Sequence, residues 1–304
     1  MQVGFRAVEE YSDIAVIWRG ELGRAIRSGW AIALVILFLF GEGLLLMVVG
    51  FLTRGVGQMS GGGGAMPLEQ KKNLLSLFTN NSEATIEAIA RLPLVLLVAF
   101  SATTLLAPML IALMGFDQLA GEIRPRSMRY LIVRVRRTSI VLGKYLTQLT
   151  VLAGILVLCT VAMVGTAKGL NVDFSWTDTL KWGGKLVVAM LVIGVAYAAL
   201  TTLCSAAASS GALALFVNII VLFVFWFISV VGNRVRLPGA PAEGLESLKE
   251  ESVWGYIRYL VPSEFEHHLL SPDPMEYGTG LLAYAGFALV FLGLAKLVMS
   301  RRDL

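Results

Sequence analysis

The chain is 304 residues long, 57% apolar and only 15% charged. An ordinary soluble domain carries about 25% charged residues, so these proportions exclude one and point to a membrane protein. The formal net charge of +4 invites a nucleic-acid partner. However, the basic residues cluster at the ends of apolar runs, with no basic stripe interleaved with stacking aromatics, so no nucleic acid is expected.

Residues 11–29 open the chain's pattern. Ile14, Ile17, Trp18, Leu22, Ala25 and Ile26 recur at helical spacing, while Arg19, Glu21, Arg24 and Arg27 take the other face. The pattern predicts an amphipathic helix lying in the membrane interface, apolar side in the acyl region. A soluble amphipathic helix has the same periodicity, but direct fusion to the apolar run at Trp30 favours the membrane surface. That run, Trp30–Leu52, is too long for the core of a cleavable signal and follows Glu9, Glu10 and Asp13, so it is expected to stay in the protein.

Further runs at Leu92–Met114, Tyr145–Ala167, Lys185–Ser205, Ala212–Val231 and Gly280–Met299 are also long enough to cross about 30 Å of hydrocarbon as helices. The fold class predicted is an all-α membrane protein, a single transmembrane domain over residues 1–304 with six transmembrane helices. Cys159 and Cys204 fall inside spans and are expected to be reduced packing residues. Only Ala206–Gly211, all small residues, joins the fourth and fifth spans, which predicts a tight hairpin.

Charge sets the orientation. Residues 115–144 hold Arg124, Arg126, Arg129, Arg134, Arg136, Arg137 and Lys144, and short basic loops stay in the cytoplasm. Arg6, Arg19, Arg24 and Arg27 precede the first span, and Arg301-Arg302 follow the last. With six spans, these segments share one side, so the N-terminal and C-terminal ends are both expected to be cytoplasmic. Loops 53–91 and 232–279 are then extracytoplasmic. The first of these contains Ser60–Ala65, a glycine linker. The second contains Val253–Leu270, where Trp254, Tyr256 and Tyr259 suit an interfacial belt and a short re-entrant or surface helix is expected to break near Pro262. His267 and His268 there are read as solvated loop residues, because adjacent histidines on a helix point about 100° apart and rarely share a metal.

Motifs for covalent chemistry are missing. No GxxxxGK[ST], HExxH, GxSxG or Cys/His cluster occurs, so no cofactor or metal is expected on this chain. Within the arginine segment, Ser127 suits an N-cap, and Met128, Leu131, Ile132 and Val135 fall on one helical face. Arginines, Arg134 and Arg136 among them, surround that stripe, as a helix-in-groove contact needs. A loop helix lying on the bilayer is the alternative.

Several stretches, in order, resemble the ABC-2 type permeases, the six-span membrane subunits of bacterial ABC exporters. Trp18–Leu22 with Arg27–Gly29 is similar to that family's elbow helix, and Phe116–Glu122 to the end of its second span. Leu131–Arg137 running into Leu142–Tyr145 is similar to its loop and to the Gly-Lys that opens the third span, and Lys296–Leu304 to its ending. Arg126–Met128 stand where the family often has Gly-Thr-Leu. The resemblance implies that 115–144 is a cytoplasmic coupling loop whose helix sits in a cleft of a separate ATPase, through Met128, Leu131, Ile132, Arg134, Val135 and Arg136. It implies two ATPase subunits holding ATP and Mg, a second permease copy or paralogue, and a bacterial cytoplasmic membrane. It also implies that the first, second and fifth spans border the pathway. Glu42, an acid near the middle of the first span, would then either face it with Ser101, Thr103 or Asn218 or be a protonated glutamate hydrogen-bonded between packed helices. An ion-coupled secondary transporter is the alternative from another class, but the arginine loop has no counterpart after the fifth span, where internal symmetry would put one. A membrane scaffold transmitting mechanical work to an envelope machine is a third.

Overall fold

A computed structural model describes residues 2–27, 29, 32–41, 43–44, 47, 69, 106–123, 135–169, 176–234, 257–271 and 273–302. The described residues are helical throughout their regular structure. Helix α1 (Gln2–Arg27) is followed by α2 (Ile32–Gly41) at a bend of 66°. Then come α3 (Leu106–Ile123), α4 (Arg137–Gly169), α5 (Trp176–Ala207), α6 (Gly211–Arg234) and α7 (Pro274–Arg301). Three 3-10 turns, Arg258–Leu260, Pro262–Phe265 and His267–Leu270, lie between α6 and α7.

Among the described residues, five helices are long and apolar enough to cross a membrane, or six if α1 and α2 form one broken span. They match the second to sixth predicted runs, with shifted ends. The α3 helix passes Met114 and, after a tight turn at 116–119, ends at Ile123. The α4 helix starts at Arg137, eight residues before Tyr145. Residues 115–123 and 137–144 of the predicted loop are therefore part of the bundle, and Arg124–Arg134 lie outside the described residues. The α7 helix starts at Pro274 rather than Gly280. The proline suits the first helical position, and the Asp273 carboxylate accepts from the Met275 amide as N-cap.

Helix α5 is the centre of the bundle, packed against α4, α6 and α7. Its inner face carries Ala189, Ile193, Ala196 and Leu200, which meet Ile111, Leu152, Ile155 and Tyr284. Large apolar side chains also cover the outside: Phe216, Phe223, Trp226 and Phe227 on α6, and Leu282, Leu289 and Val290 on α7. A water-facing surface would not carry such a mantle; hydrocarbon requires it, with backbone polar groups satisfied inside each helix. Cys159 and Cys204 are free and buried, and α5 and α6 are joined through residues 208–210 alone, as expected.

The amphipathic segment differs from expectation. Its helix begins at Gln2, and its apolar face is laid on α4 rather than only in lipid. Ile17 lies against Gly143, where an added Cβ would stand 2.7 Å from the isoleucine methyl, and the Trp18 indole donates to Thr150 Oγ1 at 3.0 Å. Among the described side chains of this helix, Val16 and Ile26 are the exposed large apolar ones.

Candidate functional site: the base of the arginine loop

The described ends of the arginine loop meet in a cluster of charges. Lys144, two turns into α4, has a side chain only 5% exposed. Its ammonium lies 3.0 Å from Glu21 Oε1 of α1 and 2.9 Å from Glu122 Oε1 at the end of α3. Arg24 lies on the rim, 3.2 Å from Glu21 and 3.6 Å from Glu122. One buried cation thus joins three elements far apart in the chain. Removing one partner of such a buried cluster leaves charge uncompensated, a change that typically costs about 3–5 kcal/mol.

Neighbouring contacts tie in the remaining helices. Ser205, near the end of α5, accepts from the amides of Leu119 (3.0 Å) and Ala120 (3.1 Å) and donates to the Phe116 carbonyl at 2.9 Å. This hydroxyl serves the backbone groups that the turn at 116–119 leaves outside a regular ladder. The Gln148 amide donates to the Ile111 carbonyl at 2.9 Å, and Gly115 lets it approach, because any Cβ there would collide with Gln148. Arg137 donates to the carbonyls of Met299 (2.7 Å), Ser300 (3.1 Å) and Arg302 (3.0 Å), closing the last turn of α7. Arg302 donates to the Ala206 carbonyl at the end of α5 at 2.5 Å. Guanidinium groups at helix C-termini satisfy orphan carbonyls and complement the helix dipole.

Of the residues predicted to meet an ATPase, Val135 is half-buried against Leu119, Ile140, Val141, Ala206, Ala295 and Met299. Arg136 is exposed, and α4 begins after it. Met128, Leu131, Ile132 and Arg134 lie outside the described residues, as do Glu42, Ser101 and Thr103 of the predicted pathway. Asn218 is 1% exposed and donates to Thr201 Oγ1 of α5 at 2.9 Å. It therefore links α6 to α5. Sequence reasoning noted Glu21, Glu122 and Lys144 singly but did not join them. It missed Ser205, Gln148 and the capping role of Arg137. The available signal was a lone lysine and two lone acids bordering apolar runs.

At the opposite end of the bundle, Pro262–Phe265 and His267–Leu270 pack on α7, the first also on α6 and the second on α5. The break falls at Val261, extended as a residue before proline must be. His267 and His268 are not solvated loop residues. They are half-buried with ring centroids 4.0 Å apart, and His268 also faces the Phe265 ring at 6.2 Å. Tyr259 is exposed, whereas Trp254 and Tyr256 lie outside the described residues.

An apolar mantle around a helical bundle, with its polar bracing gathered at the ends, defines a multi-pass α-helical membrane protein. A family model described as ABC-2 family transporter protein matches residues 15–304. The chain belongs to this family of transporter permeases, whose members are typically non-catalytic membrane subunits that associate with an ABC ATPase. No curated protein matches it.

Proposed function

We propose that the chain is the permease subunit of an ATP-driven exporter in a bacterial cytoplasmic membrane. It pairs with a second permease, itself or a paralogue, and with two cytoplasmic ATPases that hold ATP and Mg. Residues 115–144 couple them. Met128, Leu131 and Ile132 enter a cleft of the ATPase, Arg134 and Arg136 rim the contact, and Val135 anchors the segment to the bundle. Glu42, Ser101 and Thr103 line the path between the two permeases, and Asn218 borders it.

The observation that supports this reading best is the bracing of the loop's base. Lys144 binds Glu21 and Glu122, and Arg137 and Ser205 bind the ends of α7 and α3. A load applied to the loop is thereby delivered to α1, α3, α4, α5 and α7 together. The test uses the complex of this chain with its ATPase subunit. Replacing Leu131 and Ile132 by Asp should leave the permease inserted but reduce ATPase retention on purification at least tenfold. Undiminished retention and transport-linked hydrolysis would move the contact elsewhere.

A further inference from the structure

Residues 258–270 enter the bundle without crossing it. Near one end of the segment, the Lys185 ammonium donates to the carbonyls of Leu270 (3.2 Å) and Ser271 (2.8 Å). Deeper in, Glu266 is within electrostatic reach of Tyr197 on α5 and Tyr284 on α7. In the segment, the two 3-10 turns from Pro262 to Leu270 pack on α5, α6 and α7. Val261, Leu269 and Leu270 are buried around it.

Inside this apolar setting lie polar atoms with no hydrogen-bond partner: Ser263 Oγ, Glu266 Oε1, His268 Nδ1 and the Tyr284 hydroxyl. Ser263 and Glu266 are three residues apart on a 3-10 path, which places them on one face. None of the described lysines or arginines forms an ion pair with Glu266.

We propose that the Glu266 carboxyl, whose Oε1 is buried without a hydrogen-bond partner, is a proton-binding site whose occupancy seats residues 258–270 in the bundle. The neutral acid suits an apolar, unpaired position, whereas the carboxylate is strongly disfavoured there. A metal ion is the less fitting ligand, because among the described residues no group of three or more His, Cys, Asp or Glu is placed to hold one. Among the described residues, the titratable and charged groups facing the segment are Tyr197 and Lys185 on α5, and Tyr277 and Tyr284 on α7. Tyr259, Glu264, His267 and His268 belong to the segment itself, and α6 offers no titratable side chain between Gly211 and Asn233.

Burial pushes the Glu266 carboxyl up to about 7. With the bound-state value raised, seating is fully favoured below the ordinary carboxylate range and weakens as pH rises through neutrality. The seating equilibrium changes on the order of a hundredfold across that window. The site stands apart from the exporter reading and survives the failure of that reading.

The experiment is a pH titration of the purified full chain in lipid nanodiscs, followed by carboxyl infrared absorption and by thermal stability. The wild type should show a protonated-carboxyl band that is half lost near neutral pH, with a melting temperature falling over the same range. Glu266→Gln should lack that band and keep its melting temperature as pH rises, while Glu264→Gln should behave like the wild type. Glu266→Asp should shift the band, and it decides the assignment if the glutamine variant does not accumulate. A band that persists in Glu266→Gln, is unmoved in Glu266→Asp, or titrates only in the ordinary carboxylate range would overturn the proposal.

Discussion

The two ends of the bundle are held by opposite means. At the arginine-loop end, charged groups reach across helices: Lys144 to two carboxylates, Arg137 to three carbonyls and Arg302 to a fourth. At the other end, the inserted segment rests chiefly on rings and aliphatic side chains. Phe265 lies 6.1 Å from Phe287 and from Tyr259, and the unpartnered polar atoms of Glu266 and Tyr284 stay inside. Charge-assisted hydrogen bonds fix geometry and are stronger than neutral ones. At the segment's end Lys185 holds the Leu270 and Ser271 carbonyls, and packing with few directional bonds permits an element to leave and return. One end is built to move as a body, the other to rearrange.

The comparison breaks most visibly if both ends lie on the same side of the membrane. Gly62→Cys and Glu246→Cys should label fully with an impermeant maleimide in intact cells, and Arg126→Cys should not. External labelling at residue 126 would reverse the orientation and remove the coupling proposal. Cys159 and Cys204 are buried, so the native background should be low.

Next in size is Lys144→Met. It should cost about 3 kcal/mol, because Glu21 and Glu122 then lose their buried cation and keep only the exposed Arg24 of this cluster. Lys144→Arg should recover part of that loss, and thermal unfolding in detergent reads both. A loss below about 1 kcal/mol would reduce the cluster to an ordinary surface pair.

The smallest effect is expected at Asn218. Thr201 already donates to the Tyr197 carbonyl at 2.9 Å, and Asn218 Oδ1 is buried without a partner. Replacing the amide by Leu should therefore change stability by less than about 1 kcal/mol. Retained stability with lost transport would place Asn218 on the pathway, whereas unaltered transport would leave it as a packing residue.

Hydropathy made the spans legible because a bilayer demands about 20 apolar residues per crossing. Their ends were harder to place. Arg137 and Asp117 look like loop residues by charge, yet the first opens α4 and the second sits in the turn of α3, beside Gly211 and Gly121. A helix can carry such residues where another chain segment supplies carbonyls or small residues to receive them, and that arrangement is tertiary. Lys144 and Glu21 are 123 residues apart, a pairing no local pattern encodes. The inserted segment was hinted at by Pro262, but the depth of Glu266 depends on Tyr197 and Tyr284 from two other helices. The stripe at Met128–Val135 was visible as periodicity, and Val135 shows that part of such a stripe can serve the protein's own interior.

Arg137 waits a long time for its partners. The carbonyls it caps belong to Met299, Ser300 and Arg302, which leave the ribosome some 160 residues later, at 162 to 165 positions' separation. Until then the third span carries an unsatisfied cation at its mouth, and the α5 carbonyl at Ala206 lacks Arg302. Biogenesis therefore has a late closing step. A chain that stalls or is cut before residue 299 can insert its earlier helices and form the Lys144 cluster, but Arg137 and the Ala206 carbonyl are then without the partners that the last turn supplies.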